Sequence, residues 1–125
     1  MMFATCLNCM DGRVQLPVIN WIMSNYGVEY VDVITEAGMD GVLAGDDRRI
    51  MESITSKIDI STVKHNSGII FIVGHDDCGG NPVDEKTHRK QVHIAVNKIK
   101  EMKPSVQVIG LWVSGKWVVE KIIEQ

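Results

Sequence analysis

Two short segments concentrate the residues capable of chemistry: Cys9-Met10-Asp11-Gly12-Arg13 and His75-Asp76-Asp77-Cys78-Gly79-Gly80. Two thiolates and an imidazole make a good zinc shell, and three protein ligands leave the fourth tetrahedral position for water. That open position separates a catalytic zinc site from a closed structural one. His75-x-x-Cys78 on a tight loop can present both side chains to one ion, with Cys9 arriving from the other segment. Asp11, two residues from Cys9, could itself ligate the metal and close the site. Arg13 offers a planar fork of donors to hold that carboxylate away. Both the open and the closed site are compatible with these residues. The alternative of two core thiols and a hydrogen-bonded histidine leaves the flanking glycines and the His-x-x-Cys spacing without a purpose.

Stepping outward, these segments must be positioned by regular elements, and two hydrophobic periodicities alternate along the chain as in β/α units. Phe3 to Asn8 reads as a short apolar strand. A helix follows with Pro17 in its first turn and Val18, Ile19, Ile22 and Tyr26 on one face, closed by Gly27. Val28 to Thr35 reads as a second strand and Glu36 to Gly45 as a Gly-rich loop. Asp46 or Asp47 can cap a helix bearing Ile50, Ile54 and Ile58. Gly68 to Gly74 is almost wholly apolar, the pattern of a central strand covered on both faces. Asp84 to Met102 reads as a helix with Val92, Ala95, Val96, Ile99 and Met102 on one stripe, ended by Pro104. Val106 to Val113 and Lys116 to Ile122 read as strands joined by a two-residue turn, Ser114-Gly115.

The pattern predicts a mainly parallel α/β sheet, Rossmann-like, of order 2-1-3-4 plus an antiparallel terminal strand, with helices on both sides. Both reactive segments follow strands directly. In such a sheet, ligands collect at the carboxyl ends of the strands where strand order reverses. Strands 1 and 3 as neighbours would bring the two segments together there.

The remaining candidates read more plainly. Cys6-x-x-Cys9 has redox spacing, but Cys6 falls inside a strand and not at a helix N-terminus, so it reads as a core thiol. Asp76 and Asp77 crowd a site already supplied and read as loop or supporting residues, with Asp77 bonding amides of its own turn. Asp40, Asp46 and Asp47 lack the spacing of a calcium loop, and capping explains the latter two better. His65, His88 and His93 read as surface residues, and Trp21, Trp112 and Trp117 as core or dimer contacts.

With 45% hydrophobic and 23% charged residues over 125 positions, the chain reads as one globular domain, residues 1–125. A net charge of −3 gives no reason to expect nucleic acid or an anionic membrane as partner. No apolar run approaches the ~18–20 residues of a membrane span, and the N-terminal segment does not read as a signal peptide. Three cysteines cannot all pair within one chain, which fits a reducing cytoplasm better than a disulfide framework.

The paired motifs Cys9-x-Asp11-x-Arg13 and Gly74-His75-Asp76-Asp77-Cys78-Gly79 resemble those of the β-class carbonic anhydrases, and the likeness runs from the first strand through the terminal hairpin. The resemblance implies zinc bound by Cys9, His75 and Cys78, with Asp11 and Arg13 as a catalytic dyad beside it. It implies reversible hydration of carbon dioxide to bicarbonate by zinc-bound hydroxide, in a homodimer or higher homo-oligomer. Hydrolysis of carbonyl sulfide or carbon disulfide is a second reading within the same chemistry, and a non-catalytic zinc-binding or thiol-switch protein is one from another class. The chain departs from the family in four places. It enters its first strand at Phe3, without the usual helical arm. It has Thr35-Glu36-Ala37-Gly38-Met39 where Arg-x-Ala-Gly-Asn is common. Gly12 replaces a usual Ser, and the helix after Arg13 lacks an obvious substrate-side Gln.

Overall fold

The structure, a computed structural model, describes residues 1–125. Its centre is a five-stranded sheet of order β2-β1-β3-β4-β5. The strands are β1 (Phe3–Asn8), β2 (Tyr30–Thr35), β3 (Ile69–His75), β4 (Gln107–Val113) and β5 (Val119–Glu124). The first four run parallel, and β5 pairs antiparallel with β4. The helices are α1 (Gln15–Tyr26), α2 (Met39–Ala44), α3 (Arg48–Asp59) and α4 (Glu85–Met102). The expected architecture and strand order are therefore present.

All seven residues of β3 are buried, because successive side chains feed two different cores. Ile69, Phe71 and Val73 join Val14, Val18 and Ile22 under α1, together with Ala4 and Cys6. Ile70 and Ile72 point the other way, into a second core with Leu7, the α2 residues Met39 and Leu43, Ile54 and Ile58 of α3, and Val92, Ala95, Val96 and Ile99 of α4, whereas Met102 at the end of the expected stripe is exposed. A strand covered on both faces must be apolar throughout, which is why β3 shows no alternation in sequence.

Helix ends follow local chemistry. Gly27 closes α1 at φ 65° with its amide donating to the Met23 carbonyl, the left-handed cap that favours glycine. Asp47 caps α3 by accepting from the Ile50 amide, and Asp84 caps α4 by accepting from the Thr87 amide.

Three expectations need correction. The segment Glu36–Gly45 is not all loop: Met39–Ala44 forms α2, anchored by buried Met39 and Leu43. Its glycines conceal the helix in sequence, and at Gly41 the space a side chain would take is occupied by Asn81, whose Nδ2 would lie 2.7 Å from a Cβ there. The second strand starts at Tyr30, two residues later than its apolar run. The turn before β5 is not Ser114-Gly115 alone. It spans Ser114 to Val118, with the Trp117 amide donating to the Ser114 carbonyl and the Ser114 amide to the Val118 carbonyl.

Cys6 lies mid-strand with no exposed surface and no disulfide. Burial pushes its thiol up to about 12, so the folded chain holds this proton where an unfolded thiol would release it. The stabilisation from this group is complete below the unfolded thiol value of about 8.5 and declines as pH rises beyond it. In native, metal-free protein Cys6 should resist alkylation at about pH 8, where the same cysteine in denatured chain is labelled. Peptide mass spectrometry would check this, and labelling of Cys6 at the rate of a denatured control would contradict it.

Candidate metal centre

Asn8, the last residue of β1, fixes the direction in which the first reactive loop leaves the sheet. Its Oδ1 accepts from the Cys9 amide at 2.9 Å and its Nδ2 donates to the Val14 carbonyl at 3.1 Å. Gln15, opening α1, donates through Nε2 to the carbonyls of Cys9 at 2.7 Å and Asp11 at 2.9 Å. The loop is thus held from inside, although nothing crowds Gly12. Neither buttress is evident in sequence, because a polar residue beside a motif carries no periodic signal. Gln15 is a glutamine just after Arg13, but its amide braces backbone.

His75 ends β3 and is 1% exposed. Its Nδ1 lies 2.7 Å from the Asp76 carbonyl oxygen. That oxygen can only accept, so Nδ1 carries the hydrogen and Nε2 the free lone pair. Nε2 is buried and has no hydrogen-bond partner. Such an atom is uncommon in a folded protein and calls for an explanation.

The explanation lies in its neighbours. Ligand atoms of Cys9, His75 and Cys78 all fall within 4.8 Å of one another, and all three residues are buried. The sulfurs of Cys9 and Cys78 are 3.9 Å apart, far beyond a disulfide bond. Two thiolates at tetrahedral angles on zinc would be separated by about 3.8 Å, given Zn–S bonds of about 2.3 Å. Burial, and then the charge of Cys9, push the Cys78 thiol up, so without a cation Cys78 resists ionisation. A divalent ion would reverse that balance and use the idle imidazole lone pair. The Gly38 amide, 3.4 Å from the Cys9 sulfur, donates to it. The donor set fits zinc.

Asp11 and Arg13 stand beside this group. Arg13 Nη2 donates to Asp11 Oδ2 at 2.7 Å, and Nε lies 3.1 and 3.2 Å from the two carboxylate oxygens. The Arg13 amide donates to Asp11 Oδ1 at 2.9 Å. Asp11 is not among the clustered ligand residues. Asp77 does not bond amides of its own turn as expected. Its Oδ2 instead accepts from Arg13 Nη1 at 3.1 Å, so one guanidinium joins both reactive loops.

A cavity of about 370 Å³ lined by Cys9, Met10, Asp11, Ala37, Gly79 and Gly80 opens here. Its wall explains Ala37-Gly38. A Cβ on Gly38 would lie 2.7 Å from the Gly80 carbonyl oxygen, and one on Gly80 would lie 2.6 Å from the Ala37 carbonyl carbon. Only glycines allow the loops after β2 and β3 to touch.

His88 is not a surface residue. Its Nδ1 sits 2.6 Å from Asp40 Oδ2, with the side chains 1% and 2% exposed. Asp40 Oδ1 also accepts from the Gly41 amide and from Asn81 Nδ2. The pair ties α2 and α4 to the loop that carries Cys78. The signal was present: His88 lies four residues before Val92 and extends the buried stripe of α4.

The guanidinium, and secondly the Arg13 amide, hold the Asp11 carboxyl at about 2. Stability from this group is present above the unfolded value of about 3.9 and is lost as pH falls through the folded one. In metal-free Arg13→Ala protein the Asp11 midpoint should move up toward the ordinary carboxylate value, read by carbon-13 NMR. A midpoint still near 2 would show that the amide alone sets it.

A family model described as "Putative carbonic anhydrase" matches residues 1–123. No curated protein sequence matches the chain. Among solved structures, a β-carbonic anhydrase isoform I from Trichomonas vaginalis superposes with a TM-score of 0.64 at 18% identity, covering 97% of this chain and 81% of that one. A carbonic anhydrase from Glaciozyma antarctica gives 0.63 at 15% identity, with 95% and 81% covered. One of two tetrameric β-carbonic anhydrases from Sordaria macrospora gives 0.62 at 13% identity, with 97% and 81% covered. Likeness at these identities speaks for the fold, whereas the family match spans nearly every residue, reactive segments included: the chain belongs to the carbonic anhydrase family.

Proposed function

We propose that the protein binds one zinc ion through Cys9, His75 and Cys78 and interconverts carbon dioxide and bicarbonate, with Asp11 and Arg13 as its catalytic dyad. The observation that carries this reading is the buried, partnerless His75 Nε2 grouped with two sulfurs at tetrahedral spacing. Cys9, His75 and Cys78 would hold the ion, and the chemistry it would supply there is Lewis-acid activation of water as a nucleophile.

The chain's own residues supply the rest. Arg13 commits the Asp11 carboxylate from one side, which favours the open site over one closed by Asp11. Held at about 2, Asp11 stays ionised through the working range, so it serves as a hydrogen-bond acceptor that orients the attacking water and not as the proton store. Across the cavity from Cys9, Met10 and Asp11 stand Ala37, Gly79 and Gly80, whose small side chains leave room for a small linear molecule beside the carboxylate. No helix is long and apolar enough to cross a membrane. Three free thiols fit a reducing compartment such as the cytoplasm. Met10, Leu16 and Val118 expose 64%, 69% and 62% of their surface on the segments that carry the dyad and the last turn. These apolar side chains support a homodimer or larger assembly.

Purified protein should hold about one zinc per chain, and Cys9→Ser, His75→Ala and Cys78→Ser should each lose most of it. Asp11→Ala should keep the metal while carbon dioxide hydration falls by roughly a hundredfold or more. Metal analysis and stopped-flow on the same samples decide this, with carbonyl sulfide hydrolysis run alongside as the competing reaction. Full zinc retention in any two ligand variants would sink the assignment. Sedimentation at tens of micromolar tests the assembly, and a monomer there would reject it.

A further inference from the structure

Arg13 is an arginine that ought to move. Its side chain is 45% exposed, and a long cationic stem in water keeps most of its rotamers. Yet its fork is committed on both edges. Nε and Nη2 serve Asp11, while Nη1 reaches Asp77 Oδ2 at 3.1 Å and Nη2 also donates to the Asp77 carbonyl at 3.0 Å. The Asp77 carboxylate is 79% exposed, and an ion pair so open to water constrains little.

What remains is Trp117. The Arg13 guanidinium carbon lies 4.6 Å from the centre of its ring, and tryptophan is the aromatic face that attracts a cation best. The ring is supplied at a conformational cost. Trp117 has φ 60°, a region where a bulky residue is a real outlier and persists only when its surroundings impose it. Those surroundings are visible. The five-residue turn is closed by its own hydrogen bonds, and Trp117 packs against the core under α1. Gly115 is pressed so near the loop after β3 that a Cβ would lie 2.7 Å from Asp76 Oδ2. The turn between β4 and β5 is thus docked onto the site.

We propose that Trp117 is a positioning residue for the Asp11–Arg13 pair: its ring fixes the plane in which Arg13 grips Asp11, and so keeps the Asp11 carboxylate off the fourth position of the Cys9–His75–Cys78 group. This deepens the proposed function and rests on it for the identity of the site. It assigns to a turn distant in sequence the control of whether the site stays open.

The test compares Trp117→Asn with Trp117→Phe. Asparagine tolerates a left-handed backbone, so the turn keeps its path and only the ring is lost; phenylalanine keeps a ring. In metal-free protein, hydrogen exchange at Arg13 Nε, followed by nitrogen-15 NMR, should quicken about two- to fivefold in Trp117→Asn and remain near wild type in Trp117→Phe. In protein loaded with Co²⁺, thiocyanate affinity read from the cobalt absorption should weaken by a similar factor in Trp117→Asn and recover in Trp117→Phe. Asp77→Asn should move both readings less than loss of the ring does. Wild-type exchange or wild-type thiocyanate affinity in Trp117→Asn, or a larger effect from Asp77→Asn, would overturn the proposal. Failure of the wild type to take up Co²⁺ or Zn²⁺ would instead overturn the zinc reading, and exchange at Arg13 would then decide the role of Trp117 by itself.

Discussion

Parallel pairing of β1 with β3, in the register Cys6 with Phe71 and Leu7 with Ile72, is the constraint on which the site depends. It sets residues 66 positions apart in sequence at the same end of one sheet, because each strand then has its reactive residues at or just past its carboxyl end. The pairing is held by burial on both faces, with Cys6 and Phe71 in one core and Leu7 and Ile72 in the other. A slip of one residue would exchange those faces and separate Cys9 from His75. The rigidity of the ligand group is therefore inherited from hydrophobic packing, of which Cys9 and Cys78 are themselves a part.

Around that frame, two clusters of buried polar groups stand in contrast. Asp40 and His88 have found each other, and Asn81 and the Gly41 amide complete the carboxylate's partners. That network joins α2, α4 and the loop after β3, and removing one partner of such a pair typically costs about 3–5 kcal/mol. Cys9, His75 and Cys78 have no comparable arrangement: two sulfurs 3.9 Å apart, a Cys78 thiol pushed up by burial, and an imidazole nitrogen with nothing to bond. His88 Nε2 also lacks a hydrogen-bond partner, so what makes the idle nitrogen of His75 informative is the pair of sulfurs beside it. The strain at Trp117 fits the same pattern, a local cost located beside the chemistry.

Residue type and spacing by themselves determined the fold class, the strand order and the three prospective ligands. Period-2 and period-3.6 patterns mark β1, α1, β3 and α4, and His-x-x-Cys after a buried strand has few other uses. Local signals failed where a residue answers to distant neighbours. Glycines at 38, 41 and 45 read as loop, yet α2 forms because Met39 and Leu43 are swallowed by the core and Gly41 makes room for Asn81. His88 reads as a surface residue until Asp40 is placed beside it, and Asp77 as a turn former until Arg13 arrives from 64 positions away. The last turn reads as two residues because nothing local announces a tryptophan at positive φ. Only the tertiary structure decided these, for one physical reason: hydrophobic periodicity is written within a segment, whereas the partner of a buried charge, and the space left for a Cβ, belong to whatever the fold brings alongside.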